Sequence, residues 1–143
     1  MYGDRFHTLW NLVIQGQDMK RYKRLLEYLK YHSSPEYSEM IWSRQGLSND
    51  EFVAVYYKNS KFEVLHNVCG ESVNEYYGDY DLERFLFIDE ANTRLLMLRT
   101  GTHDGKQLVK AMSERFGKYG SSALRRIEEF CTSKGIEFRR GIY

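Results

Sequence analysis

Between Arg115 and Glu129 the chain reads RFGKYGSSALRRIEE. It sets a lysine and a tyrosine between two glycines, Gly117-Lys118-Tyr119-Gly120. The chemistry this spacing suits is capture of a phosphate backbone. Glycines let the main chain turn sharply and come close to an anion, amides at the start of a following helix can face it, and Lys118 adds a positive charge. Tyr119 offers a ring on which a base could stack. Further cations lie nearby in sequence: Arg125 and Arg126 just after the loop, Lys106 and Lys110 before it, and Arg139 with Arg140 beyond. A plainer reading of the same letters is a helix-ending glycine, a two-residue link and a serine that caps the next helix.

Other chemistries find less support. The segment EYYGDYDLERF holds Asp79-x-Asp81, which could bind a hard cation if Asp89 or Glu90 came near, as a metal-dependent nuclease would require. No Glu-x-Lys follows, and a solvated acidic loop accounts for the run better. His7, His32, His66 and His103 fall in four separate segments with no metal-ligand spacing. Cys131 sits on an apolar helical stripe, where a thiol is inert packing. Cys69 has His66 three residues away, but on a strand the two side chains point to opposite faces. GTHDGK lacks the rest of a P-loop. No cofactor and no metal is expected.

The elements that must carry these residues come from composition and periodicity. With 143 residues, 42% of them hydrophobic and 15% aromatic, the chain can bury a core. Its apolar runs are far shorter than the roughly 20 residues that span a bilayer. Neither a membrane helix nor a secretory signal is expected, and two separated cysteines suit a reducing, cytoplasmic setting. Residues 1–35 read as an N-terminal helical segment ending near the single proline, Pro35, in YHSSPEY. Residues 4–14 fit a helix or a strand, and 18–31 form an amphipathic helix with a basic back. Residues 36–143 read as one α+β domain, with β-hairpins and a mixed sheet packed against helices. EFVAVYYK and KFEVLHN form a hairpin across Asn59-Ser60, although Ser48-Asn49-Asp50-Glu51 also resembles a helix-capping box. RFLFID and TRLLMLRT form a second hairpin around Glu90-Ala91-Asn92. Asp104 and Gln107 cap a helix that buries Leu108, Met112 and Phe116. Ser121 or Ser122 caps another that buries Leu124, Ile127, Phe130 and Cys131, and Gly135 ends it before a short strand, IEFRR.

The C-terminal part is thus ordered β-β-α-GxxG-α-β. This order, with Gly117-Lys118-Tyr119-Gly120 joining the two helices, resembles the K-homology fold of single-stranded nucleic-acid-binding domains, in the variant whose hairpin precedes the helices. The resemblance covers fewer than 60 residues and implies that the loop clamps about four backbone nucleotides. The sequence departs from that family after the second glycine. The family sets aliphatic residues three and six positions on, where this chain has Ala123 and Arg126; its apolar residues, Leu124 and Ile127, are displaced by one.

A net charge of +1 conceals segregation. Residues 1–35 carry six Lys/Arg against three Asp/Glu, residues 36–90 four against twelve, and residues 91–143 eleven against five. A fold that kept these apart would show a basic and an acidic side. The sequence therefore points to a small binding protein rather than a catalyst, with single-stranded RNA or DNA as partner. The alternative is an accessory factor that self-associates as a homodimer, acidic middle against basic end. A metal-dependent nuclease at the acidic loop ranks third.

Overall fold

The structure, a computed structural model, describes residues 36–46, 49–70 and 81–142. The segment 1–35, the candidate metal ligand Asp79, Ser48 of the capping box, and His7 and His32 lie outside the described residues, as does the side chain of Asp81.

Among the described residues five strands form one sheet in chain order: β1 (Tyr37–Gln45), β2 (Asn49–Lys58), β3 (Lys61–Gly70), β4 (Asp81–Ile88) and β5 (Arg139–Ile142). The expected α+β class is present. The sheet is not mixed: every pairing in it is antiparallel. The expected β2–β3 hairpin turns at Asn59 and Ser60, whose φ values of 50° and 63° are the pair of left-handed conformations that a two-residue turn needs to match the strand twist. The capping-box alternative is not realised, because β2 begins at Asn49. Six consecutive β2 residues, Glu51 to Tyr56, are buried. That run does not alternate: Val53 and Val55 belong to the core formed with the helices, and Phe52, Ala54 and Tyr56 are buried on the opposite face.

Between β4 and β5 come three helices: α1 (Glu90–Thr100), α2 (Gly105–Phe116) and α3 (Ala123–Ser133). The second hairpin is therefore corrected, since TRLLMLRT belongs to α1 and not to a strand. The cause is at its ends. The Asp89 carboxylate accepts the Asn92 N–H at 2.8 Å, a helix N-cap. At the other end Gly101, at φ 68°, closes the helix by bonds from Gly101 N–H to Leu98 O and from Thr102 N–H to Met97 O, the paired pattern of a glycine-terminated helix. The order β-β-α-GxxG-α-β still holds when β3 is counted with β4, with α1 inserted before the two helices that flank the glycines.

The helices pack on one sheet face. Val53, Val55, Phe62, Val64, Leu86 and Ile88 from the strands meet Leu96, Leu108, Met112, Phe116 and Ile127 from the helices. As expected, α2 buries Leu108, Met112 and Phe116. In α3 the fully buried stripe is Ala123, Ile127 and Cys131, with Leu124 and Phe130 only half-buried at its margins. Gly135, at φ 72°, follows the end of α3 as expected, but IEFRR is strand only from Arg139 onward. Ahead of it, the Asn92 side chain accepts the Glu137 N–H at 2.9 Å, so the first turn of α1 anchors the lead-in to β5. No helix among the described residues is long and apolar enough to cross a membrane.

Candidate nucleic-acid interface

Residues 117–122 form a short 3-10 segment between α2 and α3. Both glycines are explained first by packing against β1. A side chain at Gly117 would meet the Ile41 carbonyl oxygen at 3.0 Å, and one at Gly120 would meet the Trp42 indole nitrogen at 3.3 Å. Gly120 also has φ 59° and ψ −129°, a backbone conformation open to glycine almost alone. The inner side of the loop is thus closed by the sheet, and only its outer side can meet a partner. Ser122 occupies the cap position of α3 without making a side-chain cap bond, which corrects the expected serine cap. The Ala123 N–H is instead spent on the Gly120 carbonyl.

The outer side carries Lys118 and Tyr119, both exposed. The Tyr119 ring, 38% exposed, has the Lys118 ammonium 5.4 Å from its centre and the Arg126 guanidinium 5.1 Å away. Arg126 also pairs with Glu129 at 3.3 Å. These distances are those of cation–π contacts, and they leave an aromatic surface bracketed by positive charge.

Around the corner of α3 lies a cavity of about 340 Å³, walled by Arg84 of β4, Arg125 of α3, Arg140 of β5, Ser121 of the loop, His66 of β3 and Glu128. Arg125 and Arg140, far apart in sequence, are thus brought together. Arg140 pairs with Glu128 across the mouth, and Arg125 lies 3.8 Å from Glu129. The Arg125–Glu129 pair is exposed, and such pairs are weak and exchangeable, whereas Glu128 in the other pair is only 16% exposed. His66 is 8% exposed and fixed from behind. Its Nε2 lies 2.6 Å from Glu51 Oε2, and Glu51 Oε1 lies 2.6 Å from Arg44 Nη2. Because a carboxylate only accepts, Nε2 carries the hydrogen.

Comparison with family models, curated proteins and solved structures gave no match. The reading of this face therefore rests on its own chemistry.

The other expected site residues are dispersed. Lys106 and Lys110 are exposed on α2, but neither lines the cavity nor touches Tyr119. Arg139 and Arg140 are neighbours on a strand, so they point to opposite faces. Arg139 lies over Phe87 at 5.1 Å, beside a second cavity that also holds Glu63, Asp89 and Glu137. His66 and Arg84, which also line the cavity, were not among the expected site residues. They are register partners on β3 and β4, and the signal was an inward polar residue, His66, continuing the apolar positions 62 and 64. His66 and Cys69 do fall on opposite faces of β3, as expected. Among the described residues no cluster of His, Cys, Asp and Glu could hold a metal ion. The Cys131 thiol is fully buried, and loss of solvation, with a smaller contribution from Glu128, pushes it up from 9.0 to about 12.

Proposed function

We propose that this protein binds single-stranded nucleic acid on the face formed by residues 117–122, the exposed side of α3 and β5. The observation that carries the reading is Tyr119: an exposed ring bracketed by Lys118 and Arg126, next to a cavity where Arg125 and Arg140 meet. A stacking platform with cations at its rim is what a splayed base and its flanking phosphates require. The glycines keep the loop seated on β1, so the platform is held rather than free.

Replacing Lys118 and Tyr119 together by aspartate tests this. Both residues are exposed, so the fold should survive, checked by a melting curve. Fluorescence anisotropy with labelled single-stranded RNA and DNA across a salt series should show affinity falling with a slope of about −0.7 per contacted phosphate. The double substitution should weaken binding and flatten that slope. Absence of binding by the parent, or equal binding by the folded variant, would overturn the reading.

A further inference from the structure

We propose that the cavity between β4, β5 and α3 is a seat for a terminal phosphate, a phosphomonoester at the end of a strand. The inference rests on the nucleic-acid reading above and narrows it to strand ends.

Size is the first argument. At about 340 Å³ the cavity is at the lower end of ligand pockets, which run from roughly 300 to 1,000 Å³. It has room for one terminal nucleotide rather than a run of chain. Charge is the second. Arg84, Arg125 and Arg140 come from three different elements, against two carboxylates, Glu128 in the lining and Glu129 paired with Arg125. A phosphodiester carries one negative charge, whereas a phosphomonoester carries about −1.5 to −2 near neutral pH and presents three acceptor oxygens. Guanidinium forks match those oxygens in pairs. Among the described residues Arg84 has no acidic partner, so it can meet an anion without first breaking an ion pair.

Rigidity is the third argument. The wall at His66 is held by the Glu51–Arg44 chain, and a seat ordered in advance loses little freedom when its ligand arrives. Leu124 and Ile142 border the same cavity; Ile142 is 68% exposed and offers apolar surface to a terminal sugar or base. Entry of the phosphate would displace Glu128 from Arg140. In that pair Arg140 is 73% exposed and Glu128 only 16%, so the exchange carries the cost of leaving a largely buried carboxylate without its partner.

The test uses one labelled single-stranded oligonucleotide in three forms: with a 5′-phosphate, with a 3′-phosphate, and with neither. Nucleoside monophosphate and inorganic phosphate serve as competitors and are also titrated alone by calorimetry. One phosphorylated form should bind about tenfold or more tighter than the unphosphorylated strand, the scale of one charge-assisted contact. Arg84→Gln should remove that preference. Arg125→Gln, at an exposed helical position, is the second variant should Arg84→Gln fail to fold. Lys118→Asp with Tyr119→Asp should instead weaken all three forms alike. Equal, tight binding of all three forms would overturn the end-seat and leave the face reading standing. Binding of monophosphate without binding of any oligonucleotide would leave only a site for a free phosphomonoester and overturn both the strand-end seat and the face reading. If nothing binds, both fall.

Discussion

Gly120 combines a conformation and a neighbour that both exclude a side chain, with φ 59°, ψ −129° and the Trp42 indole 3.3 Å from a built Cβ. Gly120→Ala should therefore cost about 1–3 kcal/mol, whereas Lys118→Ala, on the solvent side of the same loop, should change stability by no more than about 0.5 kcal/mol. Urea denaturation of the two variants checks this, and equal effects would remove the packing account of the glycine. Cys131 makes a second residue-level prediction. Its thiol ionises near 9.0 when solvated but only at about 12 in the fold. Below that window both states hold the proton. Above about pH 9 the unfolded chain releases its proton first, so stability falls as pH rises. Relative to Cys131→Ala, the parent should lose about 1 kcal/mol by about pH 10. Parallel stability–pH profiles for the two proteins would show that the thiol contributes nothing.

At the scale of the element, α1 shows what local sequence left undecided. Leu95 to Leu98 is a short apolar run, and periodicity alone cannot separate a buried strand from a helix over that length; Leu98 is in fact 72% exposed. The deciding signals were the Asp89 cap and Gly101. Thr93 then ties the helix to the sheet, since its hydroxyl donates to the Ile88 carbonyl at 3.2 Å and accepts the Phe62 N–H at 3.0 Å. Thr93→Val keeps the shape but leaves a buried N–H unpaired, so thermal or urea unfolding should show a loss of about 1–3 kcal/mol; an unchanged stability would mean that those groups find other partners. The first hairpin and the caps of α2 were legible because a two-residue turn and an Asp-x-x-Gln pair act within a few residues. The cavity was only half legible. Arg125 and Arg140 could be named from charge, but His66 and Arg84 join them through strand register, which relates residues 18 positions apart and leaves no local trace. Arg139 was grouped with Arg140 on charge alone, although the pleat separates them.

For the whole molecule, most ion pairs among the described residues stay within one charge segment, Arg44 and His66 with Glu51 in the acidic middle and Arg125–Glu129, Arg126–Glu129 and Arg140–Glu128 in the basic end, while Arg94–Glu90 links the two segments at their boundary. If the acidic and basic sides meet between copies, association should weaken as salt rises past roughly 0.1 M, where charges are screened within about 10 Å. Sedimentation velocity at low and high salt decides this, and a monomer at both would exclude a charge-driven dimer. β5 bears on the molecule in another way. Among the described residues it is a four-residue edge strand paired with β4 alone, yet it supplies one guanidinium of the cavity. Edge pairings open far more readily than central ones, without global unfolding. The cavity is therefore a conditional structure, assembled while β5 is docked and dismantled when it frays, as the β2–β3 core persists. Amide hydrogen exchange should be faster at Arg140 and Ile142 than at Val55 or Val64, and an anion that bridges Arg84 to Arg140 should slow it selectively, acting as a clasp that closes the last strand onto the sheet.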